Sequence, residues 1–216
     1  MASPPRAVSV SLASDDLVVA SLNLKLEPRE QVETATQYRF GITETRFVAD
    51  VDRKAAQATG PDVMRFHEAG DRIRSRIDGA LRSTWVVLSG TFLEDLVAGT
   101  PAWRTPFGDP FVRPPLASLA EFHRFVARTK TGAGPLRAQE ELAELLPRLL
   151  SPGAGPTAAR LRPGAARLVR QADELLGDEL SQVDGLTSLA RRLGVSASYL
   201  ARAYRTVTGG TLHARV

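Results

Sequence analysis

The sequence predicts an α+β protein in which a β-rich N-terminal part precedes an all-α C-terminal part. Up to about residue 100, apolar and polar residues alternate, as they do in half-buried strands whose successive side chains point to opposite faces. Beyond residue 115 the apolar residues recur every three or four positions, which is typical of amphipathic helices. The 216 residues suffice for one large or two small domains.

Three segments of the N-terminal part carry the strand pattern. The runs 17–26 and 38–42 alternate, and they predict strands with one face buried. The continuously apolar run Trp85–Leu88 predicts a fully buried strand. The proline-rich stretch 100–115 then interrupts regular structure.

Three helical faces follow this interruption. The first contains Leu119, Phe122 and Val126, and the second runs from Leu142 to Leu149 after the turn 131–135. These two faces either pack on the sheet or form a dimer interface, and Pro147 is predicted to kink or end the second helix. A linker rich in glycine and proline spans 151–156, and a third helix is predicted over 165–180.

The positive charge of the chain is confined to its C-terminal part. The net charge is +4, and residues 1–150 are neutral, with 19 Lys+Arg and 19 Asp+Glu. Residues 186–216 hold five arginines and no carboxylate. This distribution indicates a C-terminal part that faces nucleic acid.

The same C-terminal segment has the order of small, turn, capping and apolar residues that a helix-turn-helix requires. Ala190 leaves room for the two helices to touch, and Gly194 suits the turn because glycine adopts a positive φ at little cost. Ser196 is placed to cap the second helix, and Leu200 is placed to fix it against the first.

The polar residues of this segment are predicted to form a DNA-contacting surface. A helix in the major groove reads base edges with its early residues and touches phosphates elsewhere. We expect Arg202 to pair with guanine, and Arg191, Arg192 and Arg205 to meet phosphates. The predicted contact residues are Ser196, Ser198, Tyr199, Arg202, Arg205, Arg191 and Arg192. The alternative is that these arginines form the solvated face of an ordinary helical hairpin.

The segment Ala190-x3-Gly194-x-Ser196-x3-Leu200-x-Arg202-x-Tyr204-Arg205-x3-Gly209 resembles the first helix-turn-helix of AraC/XylS-type transcriptional regulators. The family has an aromatic residue, usually phenylalanine, where Tyr204 stands. The residues that would form the core of the unit are Ala190, Gly194, Leu200 and Tyr204. The resemblance extends over about fifty residues and includes the predicted helix 165–180.

The resemblance implies a domain order and a departure from it. It implies a ligand-sensing and dimerisation domain over 1–150 with a degenerate cupin-like fold, a linker over 151–163, and a partial DNA-binding domain over 164–216. The family has a second helix-turn-helix, for which residues 211–216 leave no room. We therefore expect a C-terminally truncated regulator.

The sequence offers little support for an enzyme or a metal protein. His67, His123 and His213 are far apart, cysteine is absent, and no nucleophile-elbow or phosphate-loop motif occurs. Carboxylate pairs such as Glu140 and Glu141 are expected to be solvated. We expect no catalytic residue, metal or cofactor. The segment 66–71 is predicted to be a turn, and Trp85 and Trp103 are expected in the core rather than in a ligand cavity.

These observations favour a cytoplasmic transcription regulator that binds operator DNA in the major groove. The resemblance adds a small-molecule effector, a homodimer and RNA polymerase as partners, and no membrane segment is visible in the sequence. Two alternatives remain open. One is a dimerisation and ligand-binding module without useful DNA binding, and the other is a small cupin-like binding protein or enzyme.

Overall fold

A computed structural model describes residues 7–52, 54–97, 109–150, 164–178 and 185–215. The predicted α+β architecture is confirmed, because an antiparallel β-rich region occupies the N-terminal part and helices follow it. The predicted linker 151–163 and Trp103 lie outside these ranges.

The described strands and helices have the following bounds. The strands are β1 Ala7–Ala13, β2 Leu17–Thr34, β3 Tyr38–Thr43, β4 Phe47–Val51, β5 Lys54–Thr59, β6 Met64–His67, β7 Arg72–Leu88 and β8 Phe111–Val112. The helices are α1 Gly90–Val97, α2 Leu116–Lys130, α3 Pro135–Leu150, α4 Ala165–Asp178, α5 Leu186–Arg192 and α6 Ala197–Thr208, and a 3₁₀ turn follows over Leu212–Ala214.

The long strand β7 organises the sheet. The strands lie in the order β1-β2-β7-β3-β6-β8, and β7 also pairs with β4, which pairs with β5. The predicted strand 17–26 continues to Thr34, because its pairing with β7 resumes beyond a register shift between Leu26 and Arg29. Backbone hydrogen bonds to a long partner therefore extend β2 past the end of its alternating pattern.

The two faces of the sheet carry two separate clusters of buried side chains. Phe40, Phe66 and Val86 lie on the face covered by helices, whereas Ile73 and Ile77 belong to the cluster on the opposite face. The prediction that Trp85–Leu88 is fully buried is wrong. Val86 and Leu88 are buried, but the alternate residues Trp85 and Val87 lie on the other face and are partly exposed.

The first two predicted helices pack inside the chain. Phe122 of α2 contacts Phe40 of β3, with ring centroids 5.9 Å apart. Helix α3 packs against α2 and contributes Leu142 and Leu146 to the same core. Pro147 does not end α3, which continues to Leu150.

A close approach of β3 to β7 depends on Gly41. A Cβ added at this position would lie 2.0 Å from the backbone oxygen of Thr84 and 3.0 Å from the Cα of Trp85. No side chain larger than hydrogen fits there without moving β7. In the register, Gly41 lies between Arg65 of β6 and Trp85 of β7, so that these two side chains meet above it.

We predict that Gly41→Ala lowers the free energy of unfolding by about 1–3 kcal/mol, because the added methyl group forces the strands apart. Urea denaturation measures the change. The control is Gly90→Ala, whose added Cβ would meet its nearest neighbour at an ordinary 3.6 Å. If the two variants are equally stable, the close approach is not a constraint on the fold.

Candidate nucleic-acid interface

Helices α5 and α6 are joined by a tight turn over residues 193–196. Gly194 has φ +68°, which is the left-handed conformation that glycine adopts at little cost. The backbone N–H of Val195 donates to the Ala190 carbonyl oxygen at 3.0 Å. Ser196 caps α6, since its hydroxyl accepts a hydrogen bond from the Tyr199 N–H at 3.3 Å. The predicted capping role of Ser196 is confirmed.

The contact between the two helices is apolar and closely packed. Ala190 of α5 and Leu200 of α6 are both fully buried in the same cluster. Tyr204 is also buried, and its hydroxyl donates to the carboxylate of Asp173 on α4 at 2.6 Å. Burial, followed by the hydrogen bond and charge of Asp173, raises the pKa of Tyr204 to about 12. The phenol is therefore a neutral donor at physiological pH, which gives tyrosine a role at a position buried among apolar residues.

Arginines of the predicted DNA-contacting surface reach solvent on both helices. Arg191 and Arg192 are exposed at the end of α5, and Arg202 is partly exposed on α6. Tyr199 is partly exposed next to Arg202 and packs part of its surface on the core. Burial raises the pKa of the neighbouring Asp95 carboxyl group, and the charge of Arg191 opposes this shift.

Two other predicted contact residues are held by the protein itself. The expectation that Ser198 lies on an exposed face is wrong, because 7% of it is exposed and its hydroxyl donates to the Asp95 carbonyl oxygen of α1 at 3.2 Å. Arg205 forms an ion pair with the Glu144 carboxylate of α3, although 42% of its side chain remains exposed. The early residues of α6 face α1, a helix that the sequence pattern did not predict.

Helix α3 anchors both ends of the C-terminal segment with two consecutive side chains. The Gln139 side-chain oxygen accepts from the Leu186 N–H at 2.7 Å, at the start of α5. The Glu140 carboxylate accepts from the N–H groups of Leu212 and His213, at 2.7 and 3.1 Å. Each carboxylate or amide oxygen satisfies a backbone donor that has no partner within its own helical turn.

The expectation that Glu140 is solvated is wrong. Only 2% of Glu140 is exposed, and one of its oxygens also lies 2.7 Å from Nδ1 of His213. Sequence reasoning missed this residue because its partners follow it by more than seventy positions. Residue type did not distinguish Glu140 from its neighbour either. Glu141 is partly exposed, and it pairs with Arg128 and Arg137.

The histidines occupy three separate environments. His67 is buried in β6, His123 is exposed on α2, and His213 meets Glu140. Across the described ranges, no three His, Cys, Asp or Glu side chains approach closely enough to hold a metal ion. Among the helices that the structure describes, none is both long enough and apolar enough to cross a membrane.

Comparisons with known proteins give weak structural similarities. No family model matches the sequence, and no curated protein matches it. The AraC-like transcriptional activator CuxR is 14% identical over 93% of this chain and 74% of its own, with a TM-score of 0.47. A cupin superfamily protein from Desulfitobacterium hafniense is 10% identical over 41% of this chain and 82% of its own, with a TM-score of 0.35. The lyase DddQ from Ruegeria pomeroyi, described as acting on DMSP, is 12% identical over 39% of this chain and 47% of its own, again with a TM-score of 0.35.

We predict that Glu140→Ala lowers the free energy of unfolding by about 3 kcal/mol or more, because it leaves buried N–H groups without an acceptor. Glu140→Gln retains one acceptor oxygen and is expected to have a smaller effect. Urea denaturation followed by circular dichroism measures both.

Glu174→Ala on the exposed face of α4 is the matched control, and its effect is expected to stay within about 0.5 kcal/mol. Equal stability of the Glu140→Ala and Glu174→Ala variants would show that the anchoring of the C-terminal segment does not depend on this carboxylate.

Proposed function

We propose that this chain is a DNA-binding transcription regulator in which α5 and α6 form a helix-turn-helix. The observation that carries the proposal is the helix pair itself. A glycine turn and a Ser196 cap set α6 against α5, while Arg191, Arg192 and Arg202 remain on the solvent side. This arrangement matches the order of residues that resembles AraC/XylS-type regulators.

The charge of this surface supports contact with a polyanion. The sequence contains no carboxylate after residue 184, so that no acidic side chain of α5 or α6 opposes its arginines. Exposed arginines attract phosphates over about 8 Å at physiological ionic strength. Binding through them releases counterions and falls as salt rises.

The proposed contacts divide between the two helices. Arg191 and Arg192, at the end of α5, meet phosphates. Tyr199 and Arg202, on the accessible part of α6, meet base edges, and Ser196 lies at the N-terminus of that helix. Arg205 contributes a phosphate contact through the exposed part of its side chain. Ser198 reaches DNA only if α1 and α6 separate, because α1 covers it.

The remaining parts of the chain take the roles that the resemblance implies. Residues 1–150 form a ligand-sensing and dimerisation domain with a cupin-like sheet, and residues 164–216 form the DNA-binding part. A small-molecule effector binds the first domain, a second copy completes a homodimer, and RNA polymerase is the regulated partner. Two linked copies would each bring α5 and α6 to one half-site and gain affinity from their linkage.

A second function is favoured by the contacts of α6 with the rest of the chain. Ser198 and Arg205 are engaged by α1 and α3, and a protein in which they stay engaged presents less of α6 to DNA. In that case the chain is a dimerisation and ligand-binding module without useful DNA binding. The two functions differ in whether the arginines of α5 and α6 contribute to DNA affinity.

We predict that the full chain binds a fluorescent 30-base-pair duplex at low salt, and that the double variant Arg191→Ala, Arg192→Ala weakens binding. The slope of log affinity against log salt is expected to fall by about 2, since each lost phosphate contact contributes about 0.9. Fluorescence anisotropy at several salt concentrations measures the slope.

The control variant carries Arg74→Ala and Arg76→Ala, which remove the same charge from exposed positions on β7. This variant is expected to keep the slope of the unchanged chain. An equal slope for both double variants, or no binding at any salt concentration, would favour the module without DNA binding.

A further inference from the structure

On the face of the sheet opposite to the helices, two arginines contact the same tryptophan ring. Arg65 and Trp85 lie on either side of Gly41 in the register, and the Arg65 guanidinium carbon is 4.3 Å from the centroid of the Trp85 ring. Arg39 lies two residues before Gly41 and therefore on the same face. Its guanidinium carbon is 4.8 Å from the same ring. Two cations thus converge on one indole inside the sheet.

Arg65 is buried without a hydrogen-bond acceptor for two of its nitrogens. It is 4% exposed, and neither Nε nor Nη2 has a partner in the described part of the chain. These two N–H groups lie on the same edge of the planar guanidinium group. That edge is the one that holds both oxygens of a carboxylate in a bidentate pair. A buried and unsatisfied charge is unfavourable, so a negatively charged partner at this edge would stabilise it.

One carboxylate whose charge acts on Arg65 is already engaged. Glu33 forms an ion pair with Arg39 and is about half exposed. Desolvation, followed by the charge of Arg39, lowers the pKa of Arg65 to about 9, while Glu33 acts in the opposite direction. Arg65 therefore stays protonated at neutral pH. Within the described ranges Arg39 forms an ion pair with Glu33, and Nε and Nη2 of Arg65 have no hydrogen-bond partner.

The surroundings of Arg65 combine apolar rings with oriented polar groups. The Phe47 ring centroid also lies near Arg65, at 4.9 Å from its guanidinium carbon. Arg39 Nε donates to Nδ1 of His67 at 3.2 Å, which places the proton of the neutral imidazole on Nε2. Trp85 Nε1 donates to the Ser83 hydroxyl at 3.1 Å. Aromatic rings next to the two N–H donors of Arg65 suit a ligand with an apolar body and one acidic end.

We propose that this cluster, formed by Arg65, Arg39, His67, Trp85 and Phe47, binds a small organic carboxylate. The two oxygens of the carboxylate pair with Nε and Nη2 of Arg65, and the apolar body of the ligand contacts Phe47 and Trp85. As an effector site the cluster rests on the proposed function, since it gives the chemical class of the small molecule that the regulator senses. Carboxylate binding itself requires neither DNA nor the helices α5 and α6.

The experiment measures thermal unfolding of the full chain with benzoate, acetate and benzamide at fixed ionic strength. Benzoate is expected to raise Tm in a saturable way, by about 3–6 °C at a tenfold excess over its Kd. Benzamide has the same ring without the charge and is expected to have no effect. The absence of a saturable shift with both benzoate and acetate, or an equal shift with benzamide, would overturn the site.

Two variants of Arg65 separate ligand binding from a structural role. Arg65→Met removes the charge and keeps much of the length, so the ligand-free variant is expected to unfold at the same or a higher temperature and to lose the benzoate shift. Arg65→Lys keeps the charge without the fork and is expected to weaken benzoate binding at least tenfold. The control Arg74→Met, at an exposed position of β7, is expected to keep the full shift.

A lowered Tm of ligand-free Arg65→Met, together with an unchanged benzoate shift, would show that Arg65 serves only packing. Because these measurements contain no DNA, their outcome is independent of the anisotropy experiment. A benzoate shift without DNA binding would support the carboxylate site and contradict the regulator. DNA binding without a benzoate shift would support the regulator and contradict the carboxylate site.

Discussion

The buried carboxylate of Glu140 is the contact on which the position of the C-terminal helices depends. It is 2% exposed, and it receives two backbone N–H groups and the ring of His213. Gln139, the preceding residue, holds the start of α5. Because an unsatisfied polar group in this interior costs free energy, these hydrogen bonds stabilise the arrangement in which residues 185–215 pack on α3. The arginines of α5 and α6 are presented to solvent as a consequence.

In the N-terminal part, the two faces of the sheet have different roles. In β6, the side chains of Met64 and Phe66 belong to the core beneath the helices. The side chain of Arg65 lies on the opposite face, next to Phe47 and Trp85. Gly41 allows Arg65 and Trp85 to meet across β3. One strand of four residues therefore belongs both to the layer that carries α2 and to the proposed carboxylate site. A ligand at Arg65 would act on a strand that is already packed against the helices.

The sequence predicted those features that depend on neighbouring residues. Alternation located the strands that begin at Leu17 and Tyr38, and the spacing of Leu119, Phe122 and Val126 located α2. The turn 193–196 and its serine cap also follow from residues a few positions apart. Contacts between distant residues were not predictable in this way. The burial of Glu140 depends on partners in the last turn of the chain, the burial of Ser198 depends on α1, and the environment of Arg65 depends on pairing across three strands.

In the proposed function, α6, which Ser196 caps and Arg205 pairs with Glu144 of α3, reads a DNA sequence. Selection of duplexes from a randomised library by the full chain, followed by sequencing, tests it most directly. We expect enrichment of a recurring short motif, and loss of a guanine preference within that motif when Arg202 is replaced by alanine, since a bidentate contact contributes about 1–3 kcal/mol of discrimination. A pool with the same base composition as the input after several rounds, or an identical motif from the Arg202→Ala variant, would contradict it.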